Sequence, residues 1–340
     1  MRKNIEYMKI LVTGAAGFIG SHLTDKLLAE GYEVVGLDNF ANGKLDNLVL
    51  ASQNPHFKLI EGDILNKETC LLASQNIDYV FHLACLGVRH SLHSPFLNHQ
   101  VNAEGTLNVL EAAKISKVKH VFYISTSEIY GKTTVFPITE SSPTCPLTVY
   151  GASKLVGEHY AHAYNECFGL TSTVFRIFNN YGPRAHYEGD AGEVIPRSIV
   201  KILYNEQPMV FGDGSVTRDF FYVKDTANAL FQMLQIKIEN KQNIDGQTIN
   251  IGTGVEYSMK MLLENLLQVM SKESLGINYL PDRPADVPRL WVDASKFYKM
   301  TDFKANFSFQ EGLKETVDFY TNLAKNKDLL AEVAQNNWKK

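Results

Sequence analysis

The chain has 340 residues, 45% of them hydrophobic and 21% charged, with a formal net charge of -4. That is globular composition with ample core material, long enough for two domains or one domain with an appended lobe, and its mild acidity excludes capture of nucleic acid by bulk charge. Cys70, Cys85, Cys145 and Cys167 form no CxxC and no metal-ligand spacing, so they read as reduced thiols of a cytoplasmic protein, and no apolar run reaches the ~20 residues of a membrane span.

Met1 to Tyr7 show no signal-peptide pattern. Lys9-Ile10-Leu11-Val12-Thr13 is a short apolar run suited to a buried parallel strand. It enters Gly14-Ala15-Ala16-Gly17-Phe18-Ile19-Gly20, and a helical pattern follows over 21–30. Glycines let the backbone turn sharply, and the free N–H groups of a helix N-terminus favour an anion such as a pyrophosphate. The spacing is G-x-x-G-x-x-G, a weak signal alone that gains weight from its strand–turn–helix setting. A second strand over 33–37 ends at Asp38-Asn39-Phe40. A carboxylate 18 residues after Gly20 can accept from the adenosine ribose hydroxyls and would repel a 2′-phosphate, which favours NAD over NADP. A turn or helix cap is the other use for Asp38. The third strand, 57–60, runs into Asp63, which either caps the next helix or bonds adenine. The fourth, 79–84, holds His82, read as a core histidine. Residues 86–91 read as a loop, 98–114 as one long helix and 120–124 as the fifth strand, which ends in Ser125-Thr126-Ser127-Glu128.

Residues 149–168 read as a helix beginning with Tyr150-Gly151-Ala152-Ser153-Lys154. Tyr150 and Lys154 then share one face, with a rise of ~6 Å between them. A free phenol is a poor base at neutral pH, and an ammonium beside it favours the phenolate. The pair is a candidate acid/base for a hydroxyl proton. Taken alone, a Tyr and a Lys at helical spacing are more often a buried ring and a surface charge.

A sixth strand is expected over 171–178. Turn residues and charges follow to Glu193, then a helix over 194–204, a strand over 209–211, one strand over 217–223, a returning strand near 248–252 and a helix over 309–324. Alternating strands and helices imply an α/β fold, a doubly wound parallel sheet with ligands at the strands' carboxyl ends. The expected division is a dinucleotide-binding domain over 8–178 plus the returning strand, with 179–330 forming most of an interleaved, smaller α/β substrate-binding lobe.

In order, the segments LVTGAAGFIGSHL (11–23), LDNF (37–40), EGDI (61–64), HLA (82–84), NAEGT (102–106), STSEIYG (125–131), YGASK (150–154), RIFNNYGPR (176–184), FGDG (211–214), TRDFFYV (217–223) and DRPADVPR (282–289) closely resemble the extended branch of the short-chain dehydrogenase/reductase superfamily. Within it, the similarity is to NAD-dependent nucleotide-sugar epimerases and dehydratases, and it runs from about residue 8 to about 319. The resemblance implies a Rossmann domain with NAD held along Gly14, Gly17, Phe18, Ile19, Gly20, Asp38, Asn39, Asp63, Ile64, Leu83 and Ala84. Asn102, Tyr150, Lys154 and Phe178 would meet the nicotinamide ribose and ring. It implies Thr126, Tyr150 and Lys154 as catalytic residues, with Ser125 beside them. Arg89, Ser125, Thr126, Ser127 and Asn179 would touch the sugar or diphosphate, and Phe211 the uracil-type base. Arg218 and Arg283 would clamp the diphosphate, as a planar guanidinium fork does well, and Asp286 would hold the ribose. It further implies a homodimer through 98–114 and 149–168, acting on a UDP-linked sugar, with no metal, nucleic acid or membrane.

The shared chemistry is transient oxidation at the sugar C4, and the fate of the keto sugar sets the enzyme class. YGASK and DRPADVPR resemble 4-epimerases. Gly87-Val88-Arg89 resembles the loop of uronic-acid epimerases. Thr126-Ser127-Glu128 resembles decarboxylases, or dehydratases with an acid in place of Ser127. Glu128, two residues after Thr126, would on a continuing strand face the sugar and could take the C5 proton; otherwise it turns away to a cation or backbone N–H. The leading expectation is a UDP-hexose or UDP-hexuronate 4-epimerase. The alternatives are a dehydratase or UDP-glucuronate decarboxylase using Glu128, a one-way 4-keto reductase, and a non-catalytic NAD-binding protein.

Overall fold

Six apolar runs form β1 (Lys9–Thr13), β2 (Glu33–Asp38), β3 (Phe57–Glu61), β4 (Tyr79–His82), β5 (His120–Thr126) and β6 (Ser172–Ile177). With the strand Gln247–Ile251 they make one seven-stranded sheet, ordered Gln247–Ile251, β6, β5, β4, β1, β2, β3. The computed structural model describes residues 8–282 and 287–334. Every pairing in this sheet is parallel. The chain leaves β1 for β2 on one side and reaches β4 on the other, so the carboxyl ends of β1 and β4 open a crevice where strand order reverses.

Both faces of the sheet are covered, which is why its strands read as unbroken apolar runs. Ile10 and Val12 face one side, with Phe81, Phe122 and Phe175 packed beneath Leu23, Leu27, Leu230 and Leu234. Leu11, Val80 and Val121 face the other, under Val109, Leu110, Ala113 and Tyr164. Phe81, Phe122 and Phe175 stack across three neighbouring strands, with centroids 4.5 and 5.8 Å apart. The helix Val223–Ile238 contributes Leu230 and Leu234 and packs on the first helix, Phe18–Ala29, so the chain returns to the large sheet before adding its seventh strand. The helices Val194–Leu203, Met259–Val269 and Phe309–Ala324 form a second core around Ile199, Leu262, Leu266, Leu313 and Tyr320. Arg184 forms an ion pair with Asp25 at 2.8 Å, and His22 bonds the Pro183 carbonyl at 3.0 Å, tying the first helix to the segment that leads into that second core.

The long helix Val149–Phe168 keeps its expected bounds for local reasons. The Thr148 hydroxyl accepts from the Gly151 N–H at 3.1 Å, and Gly169 ends the helix in the left-handed conformation at φ 69°. Elsewhere the structure corrects the sequence reading. The first helix begins at Phe18, three residues early, because Gly17 already takes the extended N-cap conformation. Residues 86–91 are not all loop: Val88–His93 is a helix. The helix expected over 98–114 starts earlier and runs unbroken from Pro95 to Ile115, with a π-turn at Gln100–Glu104 where the Asn102 side chain bonds the Leu86 backbone. The strand expected over 217–223 divides into Thr217–Asp219 and Phe221–Tyr222, which pair with different partners. Asp219 is the cause, since its buried carboxylate accepts from the Thr253 and Gly254 N–H groups and kinks the chain.

Candidate active site

A cleft of about 1130 Å³ opens at the carboxyl edge of the sheet and extends into the second core. A site for one small ligand occupies roughly 300–1,000 Å³, so this cleft has room for two. Its floor is the glycine turn. Gly14 has φ 72°, and a Cβ there would lie 2.8 Å from the Ala84 nitrogen; one on Gly20 would strike the Gly14 carbonyl. Only glycine permits that approach, and it brings the N-terminus of the helix Phe18–Ala29 against the cleft, where Phe18, Ile19 and Gly20 line it beside Gly14 and Gly17.

Asp38 ends β2 in the same wall. Its two carboxylate oxygens accept from the Ala16 N–H at 2.9 Å and the Phe40 N–H at 2.8 Å. Burial raises its pKa and these two bonds oppose the rise. Each oxygen keeps a second lone pair, so the turn role and a hydroxyl-accepting role coexist. Asp63 lines the cleft and accepts from the Asn39 amide at 2.9 Å and the Leu65 N–H at 2.8 Å. It does not cap the helix that follows; Asn66 does, accepting from the Thr69 N–H at 2.7 Å. Ile64, Leu83, Ala84 and Phe178 also line the cleft. Asn102 does not. Its amide is buried, bonded to the Leu86 backbone, Asn98 and Ser153, so it braces the wall from behind.

β5 delivers Ser125, Thr126 and Ser127 to the cleft. The Ser125 hydroxyl donates to buried Glu158, while the residue still lines the cleft. The strand ends at Thr126, and Ser127–Ile129 is a 3-10 turn in which the Thr126 hydroxyl accepts from the Glu128 N–H at 3.2 Å. The expected strand alternation therefore fails for Glu128, although the residue still lines the cleft, brought there by the turn.

Tyr150 and Lys154 sit opposite on the helix Val149–Phe168 and both line the cleft. Burial holds the Tyr150 hydroxyl well above the usual tyrosine range; Cys85 adds to the rise, and a hydrogen bond with Thr126 opposes it. Burial therefore outweighs whatever pull the Lys154 ammonium exerts on the phenol here. The Lys154 ammonium lies 4.3 Å from the Tyr123 ring centroid, and burial lowers its own pKa against the pull of Cys85 and Glu158. His82 is the core histidine expected, bonded to the Thr13 and Thr106 hydroxyls at 2.7 and 2.9 Å; burial, helped by the charge of Lys154, lowers its pKa to about 3.

At the far end of the cleft, Asn179 presents a buried amide oxygen without a hydrogen-bond partner among the described residues. Phe211 and Arg218 line the wall near it, and one Arg218 nitrogen donates to the Thr217 and Val287 carbonyls. Arg89 lines the cleft and donates to the Ala191 carbonyl at 3.1 Å. Arg283 and Asp286 lie outside the described residues. Cys85 and Glu193 are among the lining residues that escaped the sequence reading. Cys85 directly follows the HLA segment and was in principle visible there. Glu193 closes an irregular stretch with no periodicity to mark it. Among the described residues no His, Cys, Asp or Glu cluster could hold a metal ion, and no helix is long and apolar enough to cross a membrane.

Comparison with known proteins adds an independent finding. Residues 11–316 match the family model described as GDP-mannose 4,6 dehydratase. The chain is 34% identical over 318 residues to a UDP-glucose 4-epimerase of Mycolicibacterium smegmatis, covering 93% of this chain and 99% of that one. It is 33% identical over 327 residues to UDP-glucuronic acid decarboxylase 1 of Arabidopsis thaliana, covering 94% and 72%. Among solved structures it superposes on the UDP-glucuronic acid 4-epimerase of Bacillus cereus, in complex with UDP-glucuronic acid and NAD, with a TM-score of 0.85 and 35% identity, covering 93% and 100%.

Proposed function

The chain belongs to the GDP-mannose 4,6 dehydratase family of NAD-dependent nucleotide-sugar epimerases and dehydratases, and on that premise we propose that it is a UDP-sugar 4-epimerase acting by transient oxidation at C4. The observation that carries this reading is the convergence of Thr126, Tyr150 and Lys154 on one cleft that is also lined by the glycine turn and Asp38. NAD is the cofactor, and when bound it supplies the hydride acceptor for C4 and returns the hydride. The residues of the cleft suit it: a glycine cradle at a helix N-terminus for the pyrophosphate and a carboxylate with free lone pairs for the ribose.

On this reading the Tyr150 phenol loses its proton once the positive nicotinamide and Lys154 lie beside it, then takes the proton of the 4-hydroxyl and gives it back, as general base and then general acid. Thr126 bonds the same sugar oxygen and aligns it with the phenol. Lys154 lies in a buried wall one helical turn away, where it orients the nicotinamide ribose. The partner-free oxygen of Asn179 accepts from the substrate, and Arg218 meets the diphosphate. Ser127, buried in the wall, is no proton donor for a leaving hydroxyl, which weighs against a 4,6-dehydratase. Glu128 lining the cleft favours the second reading, decarboxylation or elimination through C5.

We read residues 8–178 with the returning strand as the cofactor domain and most of 179–330 as the substrate lobe, in a cytoplasmic homodimer. Apolar side chains left exposed on three consecutive helices support the dimer: Phe96 at 87%, Ile115 at 56% and Phe168 at 56%. Light scattering giving a monomer mass at micromolar concentration would count against it. The function is tested by releasing bound nucleotide with heat, identifying it by mass spectrometry, and following UDP-glucose, UDP-N-acetylglucosamine and UDP-glucuronate by NMR. The expected results are NAD and a 4-epimer; bound NADP or an altered sugar skeleton refutes the proposal.

A further inference from the structure

We propose that Glu193 sets the sugar specificity of this cleft, accepting a hydrogen bond from a neutral hexose and excluding a sugar that carries a carboxylate at C6. The inference rests on the 4-epimerase reading and narrows its substrate class.

Glu193 immediately precedes the helix Val194–Leu203, with an extended backbone at φ -87° and ψ 161°. A side chain in that position ordinarily caps the helix, but Glu193 makes no capping bond. Its N–H is held by the His186 carbonyl at 2.7 Å, which fixes the backbone and turns the residue into the cleft. Among the described residues its carboxylate has neither a hydrogen-bond nor an ion-pair partner. A carboxylate lining a cleft without a hydrogen bond is matched by a ligand that donates one, and a sugar hydroxyl does so well.

The charges around it set the sign of the discrimination. Arg89 is the cation a uronate would seek, yet it donates to Ala191 within the same segment, and Glu193, Asp190 and Glu128 all act on it. His93 lies 3.3 Å from Asp190 and His186 2.8 Å from Glu188; burial raises the Glu193 pKa, and the charges of His186 and Arg89 oppose that rise. Glu193 is also near enough to act on the Tyr150 hydroxyl, which must address the oxygen on C4. C6 is two bonds from C4, so a C6 carboxylate enters the field of Glu193 and Glu128, whereas a C6 hydroxyl enters as a donor. Like charges in a poorly solvated cleft repel strongly, and such repulsion is an effective way to refuse a competing ligand.

The test compares UDP-glucose with UDP-glucuronate on the NAD-loaded wild type and on Glu193→Gln, which keeps the shape and removes the charge. The wild type is expected to prefer UDP-glucose, and the variant to narrow the kcat/KM ratio about tenfold or more, chiefly through a lower KM for the uronate. Bound NAD and thermal midpoint should match the wild type, which separates loss of charge from loss of fold. An unchanged ratio, or a wild type that prefers UDP-glucuronate, overturns the proposal. If the wild type turns over neither sugar, nor UDP-N-acetylglucosamine, the 4-epimerase reading fails. Calorimetric affinities of the two sugars for both proteins then decide Glu193 separately, and equal discrimination in both proteins overturns its role.

Discussion

Arg176 and Glu158 form a buried ion pair behind the wall that carries Thr126, with Nη2 2.7 Å from Oε2 and side chains only 8% and 2% exposed. Arg176 Nε also reaches both Glu158 oxygens, at 3.1 and 3.2 Å, and Nη1 donates to the Tyr130 hydroxyl at 2.9 Å. The pair therefore ties β6, the helix Val149–Phe168 and the turn after β5 together. Removing one partner leaves the other charge buried and uncompensated. Glu158→Ala should lose about 3–5 kcal/mol of stability. Replacing both residues with apolar ones of similar volume should cost much less. Urea unfolding of the two variants checks this, and a nearly unaffected Glu158→Ala would contradict it.

His22 and His82 are buried, and burial lowers the pKa of each to about 3. Unfolded, they titrate near the usual ~6.5. Folding therefore excludes a proton that the unfolded chain takes up between these values. Their contribution is complete above pH ~6.5 and falls away as pH drops toward the folded value, by about 2 kcal/mol per histidine at pH 5. Urea unfolding at pH 7.5 and pH 5 measures the loss. His22→Gln, which can still donate to the Pro183 carbonyl, should flatten the slope by its share; an unchanged slope would remove this account.

Burial keeps the Tyr150 hydroxyl protonated through the ordinary tyrosine range. In protein stripped of nucleotide, wild type and Tyr150→Phe should give superimposable phenolate absorbance below pH ~10. Turnover in Tyr150→Phe should fall roughly 10²–10⁴-fold with NAD binding nearly intact, because only the proton acceptor is lost. Lys154→Ala should damage both. An unimpaired Tyr150→Phe would end the proposed mechanism.

Glu128 reaches the cleft through a 3-10 turn instead of a strand. A 4-epimerase has no use for a base at C5, since deprotonation there leads to elimination. In deuterated water the product should carry no deuterium at C5, and Glu128→Gln should retain activity. Solvent label at C5 together with an inactive Glu128→Gln would transfer the function to the elimination chemistries.

Lys44 bonds Glu188 at 2.7 Å. The first sits beside Asn42 and Gly43 in the loop after β2, the second between His186 and Asp190, and those four neighbours line the cleft. Glu188 also bonds His186 at 2.8 Å, so the bridge is a small network. Lys44→Ala should speed NAD release about two- to fivefold, within the range of a partly exposed pair. Raised salt should do the same to the wild type. Stopped-flow displacement of the bound nucleotide measures both, and equal rates would show that the bridge does not retain it.

The sequence by itself determined whatever depends on near neighbours. β1, the bounds of the helix Val149–Phe168 and the spacing of Tyr150 and Lys154 were legible because side-chain periodicity, a Thr148 cap and a Gly169 stop act within a few residues. The ordered motifs likewise carried the family. Only the tertiary structure decided where side chains point when partners distant in sequence compete for them. Asn102 left the cleft for Leu86, Ser125 turned to Glu158, and Asp219 broke an apparent strand. Glu193 entered the cleft from a stretch without periodicity, held by a carbonyl seven residues back. A buried polar group costs free energy until it is paired, so its direction is set by the partner folding brings to it, and no local pattern records that partner.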